Sequence, residues 1–462
     1  MSVSRRLVAR WKDLPFAAIP AAVREAARLH LLDAIGVGLA AAATGAGRPY
    51  LQAATALGGG AGPAAIFGSA NGHSAAIAAL ANGGMIHALE YDDTHTASIV
   101  HGSSVLVPSA LAAAEAAGAS GEDLLTAYIK GWEVLIRVGL AAPGAFQSQG
   151  FQITSVGGAL TAALVSASLS KLDEARTVDA IGIALSQASG VFEFLTNGST
   201  VKSLHAGWAA HAGIVAATLA GTGLTGPATS FEGQFGLFRR FAADPDAADR
   251  FGAETASLGE VWHLPQAAFK FYPCCHYIHP FIEALDVALA QAPDDEVDTI
   301  LCEVPPGEAL LISEPWERKL EPQTGHEARY SLPFALAARL VDGVVTPDLF
   351  DRPPRAEVVA RARRITAVPM KSAQFPDRFE ARLHVRFGNG AVREVYIDDV
   401  FGGARRPPPC EAVLAKFRAN AMRVGQPGDV RALEAGVLSV EHLPGAEIGR
   451  LLRKFQSVDG VP

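Results

Sequence analysis

Residues 87–108 hold the densest group of reactive side chains in this 462-residue sequence. Runs made almost wholly of Ala, Ile, Leu, Val and Gly precede and follow this group, and such runs are typical of buried helices. Burying charged or polar groups costs several kcal/mol unless they are paired or used. The pattern therefore predicts a functional site where two buried helices are interrupted. Its candidate residues are Glu90, Asp92, Asp93, Thr94, His95 and His101.

Lysine is scarce, so its positions are informative. Only nine of the 39 basic residues are lysines. Lys202 lies in a loop rich in Gly, Thr and Ser that leads to His205 at the start of a predicted helix, and Lys270 lies between Phe269 and Phe271. A compact ammonium in apolar surroundings attracts carboxylates strongly. The alternative for each is a structural lysine whose ammonium is paired or reaches solvent. Two such lysines favour a site for anionic substrates.

A metal site is another alternative. One donor set is Asp92, Asp93, His95 and His101, and a second is Cys274, Cys275, His276 and His279. Adjacent cysteines do not easily ligate one zinc tetrahedrally, no CxxC pair accompanies them, and the first set lacks HExxH spacing. We therefore expect no metal. The remaining chemistry is acid–base chemistry, with His101 as general acid or base because an imidazole ordinarily titrates near neutral pH.

Hydrophobic periodicity predicts a helical chain over about the first 260 residues. The predicted helices are 20–43, 74–89, 108–117, 122–140, 154–170, 177–189 and 205–220. Alternating, β-branched segments then follow at 297–304 and 379–387, and the second returns through Gly388-Asn-Gly as 391–397, which predicts a hairpin. Helices are predicted between these strands at 328–340 and 355–364, and after them at 411–421 and 431–435.

We interpret this order as an insertion, so the expected fold class is mainly α with an α+β insertion. A large all-helical domain would comprise residues 1–265 and 402–462, and a smaller α/β domain residues 266–401.

The net charge of −8, without a basic tract, makes nucleic-acid binding unexpected. No apolar run reaches the length of a membrane span, and no secretory signal pattern is present. Four cysteines do not make a disulfide framework. We expect a cytoplasmic protein.

Several short stretches occur in order along the chain: Leu32-Asp-Ala-Ile-Gly, His87-Ala-Leu-Glu-Tyr-Asp-Asp-Thr-His with His101 and Pro108, Gly150-Phe-Gln-Ile-Thr-Ser, Ser186-Gln-Ala-Ser-Gly, Lys202-Ser-Leu-His-Ala-Gly, Glu232-Gly-Gln-Phe-Gly, Lys270-Phe-Tyr-Pro-Cys-Cys and Glu327-Ala-Arg-Tyr-Ser-Leu. Together they resemble the MmgE/PrpD family, which includes 2-methylcitrate dehydratase, cis-aconitate decarboxylase and iminodisuccinate epimerase. The resemblance implies a helical domain built from both ends of the chain and a smaller α/β lid domain. It also implies a homodimer that needs no metal or cofactor.

The resemblance also implies which residues surround a small anionic carboxylate substrate. The catalytic candidates are His101, Thr94, Glu90, Lys202 and Lys270, and the substrate-binding candidates are Asp93, Gln152, His205 and His276. The chain departs from the decarboxylase-like pattern at Glu90, where that branch has Asp, at Gln152, where it has His, and near Trp316, where it has Tyr. A glutamine cannot shuttle a proton near neutral pH.

The expected reaction is a cofactor-independent (de)hydration of a polycarboxylic acid of the 2-methylcitrate or aconitate type. A proton would leave a carbon next to a carboxylate, and Lys202 and Lys270 would stabilise the resulting dianion. Thr94 would bind the departing hydroxyl, and Glu90 or Asp93 would orient an imidazole. Epimerisation and decarboxylation of a related acid are the alternatives, and a non-catalytic carboxylate-binding protein is a further one.

Overall fold

The computed structural model describes residues 1–58, 61–293, 295–352 and 354–457. The chain forms two compact units. The first comprises Met1–Ala88, Asp92–Phe269 and Pro409–Pro462, and the second comprises Leu89–Tyr91 and Lys270–Pro408. Residues 458–462, the end of the predicted helical domain, lie outside the described residues. The domain limits expected from sequence, 265/266 and 401/402, stay a prediction.

The first unit is mainly helical, as its periodicity predicts. Its helices before the second unit are α1 (Val3–Lys12), α2 (Ala21–Ala42), α3 (Arg48–Ala56), α4 (Ala75–Ala88), α5 (Gly102–Ala117), α6 (Gly121–Ala141), α7 (Ala145–Ser148), α8 (Ile153–Leu169), α9 (Glu174–Leu185), α10 (Phe194–Asn197), α11 (Lys202–Gly221), α12 (Leu237–Phe241) and α13 (Ala247–Ala256). Between α3 and α4 lies a small antiparallel strand pair that the sequence pattern missed, β1 (Ala64–Ala65) and β2 (Gly72–His73).

Helix α11 packs against both α4 and α8. A methyl group on Gly207 of α11 would lie 2.2 Å from the carbonyl oxygen of Leu80 in α4, so only glycine permits this approach. Gly83 lies at the same crossing, where its added methyl would lie 2.7 Å from Cα of Gly207. The close crossing brings the end of α4, which carries His87, near the first turn of α11, which carries His205.

The segment between α4 and α5 is held by short backbone pairings. Thr94 and Ala268 exchange two backbone hydrogen bonds, of 2.9 and 2.8 Å. His95 and Val100 pair in the same way, and Ile99 between them takes a left-handed φ of 57°. A 3₁₀ turn, Thr96–Ser98, lies inside this loop.

Helix α5 begins at Gly102, where a side chain would lie 2.5 Å from the Trp132 ring. The prediction that this helix begins at Pro108 is wrong, because Pro108 lies inside it. A proline inside a helix lacks the N–H for one backbone hydrogen bond, here to the Ser104 carbonyl. Helix α5 is nevertheless continuous across Pro108, and it is buried from Gly102 to Glu115.

The second unit combines short helices with a mixed sheet. Its helices are α14 (His279–Ala290), α15 (Pro306–Ile312), α16 (Trp316–Leu320), α17 (Gly325–Ala328), α18 (Leu332–Asp342) and α19 (Ala356–Ala362), and its strands are β3 (Val297–Val304), β4 (Ile365–Pro369), β5 (Ala381–Phe387) and β6 (Val392–Ile397). The four strands form one sheet of order β4-β3-β5-β6. The predicted hairpin is confirmed: β5 and β6 are antiparallel, and Gly390 has a φ of 87°. Strand β4, parallel to β3, was missed because its five residues show no clear alternation.

The chain returns to the first unit as α20 (Cys410–Ala421), α21 (Pro427–Leu438) and α22 (Glu447–Leu452). Helix α20 packs on α2, and Lys416 of α20 forms a buried ion pair with Asp33 of α2 at 2.7 Å. The N-terminal and C-terminal parts of the chain therefore share one helical unit. In the described ranges, no helix combines the length and the apolar character that crossing a membrane requires.

Candidate active site

Two imidazoles in the first unit share one buried carboxylate. Oδ2 of Asp92 lies 2.8 Å from Nδ1 of His87 and 3.7 Å from Nδ1 of His101. The side chains of His87 and Asp92 are fully buried, whereas that of His101 is 14% exposed. The two imidazole rings meet edge to face, with centroids 4.9 Å apart. A buried carboxylate of this kind orients the imidazoles beside it, as in the His–carboxylate pairs of acid–base catalysis.

Gln152 connects His87 to His205. Oε1 of Gln152 lies 2.7 Å from Nδ1 of His205, and its Nε2 lies 3.2 Å from Nε2 of His87. Burial, together with the charges of His87 and Lys202, lowers the pKa of His205 to about 4, so His205 is neutral and donates from Nδ1. Because an amide nitrogen only donates, Nε2 of His87 accepts and its proton lies on Nδ1, toward Asp92. The hydrogen bonds therefore run in one direction, from His205 through Gln152 and His87 to Asp92.

The proton of His101 is placed by its neighbours in the loop. Nδ1 of His101 lies 3.1 Å from the backbone oxygen of Asp93 and 3.0 Å from Oγ1 of Thr94. A carbonyl oxygen only accepts, so Nδ1 carries a proton and Nε2 of the neutral ring carries the lone pair. Thr94 can accept from the same N–H and retain its own hydroxyl proton for donation. The backbone N–H of His101 donates to Oγ1 of Thr154 at 3.0 Å.

The Asp93 carboxylate is held inside the first unit. It accepts from Nδ1 of His30 at 2.8 Å, and from the backbone N–H and hydroxyl of Ser103. The ring of His30 stacks on Phe269 at 4.0 Å, and the Tyr128 hydroxyl lies 2.6 Å from Oγ of Ser103. Both oxygens of Asp93 therefore accept hydrogen bonds from the protein. The substrate contact proposed for Asp93 stays a prediction.

Two other candidate residues of the first unit, Lys202 and His95, have different surroundings. Lys202 is the first residue of α11, and its positive charge contributes to the lowered pKa of His205. His95 lies in the same loop as His101 but faces Oγ of Ser98, 2.8 Å from its Nδ1. Burial, with the nearby His263, lowers the pKa of His95 to about 4. Its contacts are those of a structural histidine.

The second unit contains the other predicted site residues. Nζ of Lys270 lies 3.6 Å from Oε2 of Glu90, and both residues are buried. Burial raises the pKa of the neighbouring Cys274 thiol well above its ordinary value, so this thiol is protonated. His276 is also buried, with its ring 4.9 Å from that of His279. Trp316 begins α16. The catalytic and substrate-binding roles of these residues stay predictions.

One group of possible metal ligands exists among the described residues. The ligand atoms of His87, Asp92 and His101 lie within 4.8 Å of one another. Neither donor set named from sequence reproduces this group. Both nitrogens of His87 already face a hydrogen-bonding partner, so a metal ion would have to displace the His87–Asp92 bond. The arrangement fits hydrogen-bonded imidazoles better than a metal centre.

The sequence pattern indicated Asp92 only as a member of the acidic and imidazole group and as a possible metal ligand, and it gave His87 and Arg329 no role. His87 and Asp92 are five residues apart, a spacing that does not pair side chains on a continuous helix. The end of the helical pattern could have indicated this pair, because α4 ends at Ala88 and the chain can then turn back so that Asp92 meets His87. Arg329 belongs to the Glu327-Ala-Arg-Tyr-Ser-Leu stretch, in which its burial could not be read.

Comparisons with known proteins agree with this architecture. Residues 5–249 match the MmgE/PrpD N-terminal domain, and residues 272–442 match the MmgE/PrpD C-terminal domain. The chain is 30% identical to the cis-aconitate decarboxylase-like protein oryM of Aspergillus oryzae, over 94% of this chain and 93% of that protein. It is 27% identical to cis-aconitate decarboxylase of Aspergillus terreus, over 92% and 90%, and 29% identical to the human cis-aconitate decarboxylase, over 82% and 79%. The chain therefore belongs to the MmgE/PrpD family.

Proposed function

We propose that this protein is a cofactor-independent lyase that acts on a small polycarboxylic acid of the 2-methylcitrate or aconitate type. The proposed reaction is reversible dehydration, begun by proton transfer at a carbon next to a carboxylate. The observation that supports it best is the setting of His101, whose Nδ1 proton is held by the Asp93 carbonyl and leaves Nε2 as the basic atom. The similarity to lyases that act on aconitate supports the substrate class.

In the forward direction, Nε2 of His101 takes the proton from the carbon next to the carboxylate. The imidazolium that forms has the Asp92 carboxylate 3.7 Å from its Nδ1, which stabilises the new positive charge. The electron pair of the broken C–H bond moves into the carboxylate as an aci-carboxylate dianion. Lys202 is proposed to stabilise this charge, and Lys270 is assigned the same task by the family resemblance.

The second half of the reaction breaks the C–O bond and forms the alkene. Thr94 is proposed to donate its hydroxyl proton in a hydrogen bond to the departing oxygen, since its Oγ1 is already an acceptor for His101. The imidazolium of His101 returns its proton to the leaving hydroxyl, so water is released. One group thus serves first as base and then as acid, and no external oxidant or reductant is needed.

Decarboxylation of a cis-aconitate-type acid is the second candidate, and the names of the relatives favour it. Gln152 argues against it, because the decarboxylase-like branch has a histidine at this position. The Gln152 amide uses both ends in hydrogen bonds to histidines and cannot supply a proton near neutral pH. Dehydration requires no acid from this residue.

An NMR-monitored incubation in D₂O distinguishes the reactions. The purified protein is supplied with citrate, 2-methylcitrate, cis-aconitate and iminodisuccinate in separate samples. Alkene formation from a hydroxy acid, or its reverse, supports the proposal. Loss of CO₂ from cis-aconitate supports the second candidate. Deuterium exchange with inversion, without alkene or CO₂, supports an epimerase. Thermal stabilisation by these acids without any turnover contradicts both candidates and supports a binding protein.

The homodimer implied by the resemblance remains a proposal as well. Size-exclusion chromatography with light scattering tests it directly. A mass of twice the 48.1 kDa chain supports the dimer, and the mass of one chain contradicts it.

A further inference from the structure

Arg329 is a buried cation of the second unit to which the proposed mechanism assigns no task. Its side chain is almost fully buried, with 3% of the residue exposed. Its Nε donates to the backbone oxygen of Leu89 at 3.1 Å. Its guanidinium lies over the ring of Phe350, with Cζ 4.8 Å from the centroid. Nη2 is buried and has no hydrogen-bond partner among the described residues. The hydrogen bond of this side chain is therefore directed at Leu89, while its charge also interacts with the carboxylates of Asp351 and Glu90.

The residue after Leu89 is conformationally strained. Glu90 has a φ of 51°, in the left-handed region that residues with a side chain rarely adopt. Relaxing φ to a negative value would rotate the peptide plane between Leu89 and Glu90. That rotation would turn the Leu89 oxygen away from Nε of Arg329. The hydrogen bond therefore opposes the relaxation of Glu90.

The conformation of Glu90 determines its pairing with Lys270. Oε2 of Glu90 lies 3.6 Å from Nζ of Lys270, and both groups are buried. Tyr91, the next residue, donates its hydroxyl proton to the backbone oxygen of Phe271 at 3.3 Å. The three residues 89–91 are thus attached to the second unit at three points, and Arg329 supplies the first of them.

Arg329 is itself held rigidly. Its backbone oxygen accepts from the N–H of Cys275 at 2.8 Å, and its own N–H donates to Gly325. A side chain on Gly325 would lie 1.8 Å from the Phe350 oxygen, so this turn packs tightly against the residue on which Arg329 stacks. A rigid guanidinium can hold a strained neighbour, whereas a mobile one would follow its relaxation.

We propose that Arg329 is a positioning residue that keeps Glu90 in its left-handed conformation, and so keeps the Glu90 carboxylate beside Lys270. The proposal rests on the proposed function in one respect, the contribution of Glu90 to turnover. The claim that Arg329 maintains the left-handed conformation of Glu90 does not depend on the identity of a substrate.

Thermal unfolding tests the conformational part with matched backgrounds. Glycine adopts a positive φ without strain, whereas alanine does not. Arg329→Met is therefore combined with Glu90→Gly and, separately, with Glu90→Ala, both of which remove the carboxylate. We expect Arg329→Met to lower the Tm less in the Glu90→Ala background, by about 1 °C or more, because the strain that alanine releases on relaxing offsets part of the lost hydrogen bond. Equal Tm decreases in the two backgrounds would overturn the proposal.

Turnover tests the link to the site. Arg329→Met should lower kcat about tenfold or more in the otherwise unchanged protein, because a displaced group loses its orientation. It should lower kcat no further in the Glu90→Ala background. An equal loss in both backgrounds would show that Arg329 acts independently of Glu90 and would contradict the proposal.

Two controls complete the design. Arg339→Met removes another arginine of the same unit, paired with Asp286 at 2.7 Å, and its Tm decrease should be equal in both Glu90 backgrounds. If Arg329→Met does not fold, Arg329→Lys, which retains the charge but lacks Nε–H, takes its place in the same comparisons. If the unchanged protein turns over none of the acids, the proposed function fails, and the Tm comparison still decides the proposal on Arg329.

Discussion

The side-chain nitrogen of Gln152 lies 3.2 Å from Nε2 of His87. Because the amide nitrogen can only donate, this contact determines the tautomer of His87 and directs its proton to Asp92. A histidine in place of Gln152 could donate or accept a hydrogen bond, and could also carry a proton between His205 and His87. Gln152 therefore makes this part of the site a fixed hydrogen-bonded support rather than a proton path.

Replacing Gln152 by Glu should change the protonation of His87. A carboxylate still accepts from His205 but cannot donate to Nε2 of His87, so we expect an imidazolium bridging Asp92 and the new carboxylate. ¹⁵N NMR of the imidazole nitrogens at pH 7 measures this directly. Gln152→Leu is the matched variant without charge; it leaves the buried His205 donor unpaired and should lower the free energy of unfolding by about 1–3 kcal/mol. An unchanged His87 signal in Gln152→Glu would contradict the assigned tautomer.

Replacing His101 by Asn should abolish most of the turnover. The Asn amide can still donate to the Asp93 carbonyl, but it offers no basic nitrogen, so kcat should fall by about 10²–10⁴-fold. His211→Asn serves as the control, since Nδ1 of His211 bonds the Ala76 oxygen at 2.9 Å and has no proposed role. Steady-state kinetics on the acid identified by NMR provides the measurement. Retained turnover in His101→Asn would remove His101 from the mechanism.

His205 should make stability depend on pH. Its pKa of about 4 in the folded protein lies below the ordinary value of 6.5, because burial disfavours its charged form. Between these values the unfolded chain binds more protons, so this contribution is complete above pH 6.5 and is lost as the pH falls toward 4. Asp33 makes a contribution of the opposite sign to the pH dependence of stability, because burial raises its pKa to about 6 and the folded protein then binds the extra proton. The comparison must therefore be made between variants.

We expect His205→Asn, which retains a donor to Gln152, to flatten the pH dependence of the free energy of unfolding between pH 4 and 6.5. Urea unfolding of both proteins at several pH values measures the difference. Parallel curves over this range would contradict the neutral, buried state assigned to His205.

Replacing Gly207 by Ala should destabilise the first unit. The new methyl would lie 2.2 Å from the Leu80 oxygen, a backbone atom that cannot move alone. Forced separation of α4 and α11 should cost about 1–3 kcal/mol or more, and should weaken turnover by shifting His87 from His205. Gly428→Ala in α21 is the control, because nothing lies within 4 Å of its added methyl, and it should stabilise by about 0.5–1 kcal/mol. Equal effects of the two changes on unfolding would contradict the packing argument.

The sequence by itself determined most of the helices and the β5–β6 hairpin. These features depend on local periodicity and on turn residues such as Asn389 and Gly390, which act over short distances. The motif between residues 87 and 101 was also recognisable, since acidic and imidazole groups between apolar runs are costly without a use. The start of α5 was misplaced because Pro108 is usually a helix-start signal, and its burial inside a helix depends on packing.

Only the tertiary structure decided which side chains act together. Gln152 lies 65 residues from His87 and 53 from His205, and no local pattern indicates that one amide joins both. Their meeting depends on the crossing of α4 and α11 at Gly83 and Gly207, where backbone atoms come too close for any side chain. The hydrogen bond from Arg329 to Leu89, 240 residues away and directly before the left-handed Glu90, has the same origin. Hydrogen-bond direction and backbone strain are properties of atoms in contact, and sequence spacing does not specify contacts between distant segments.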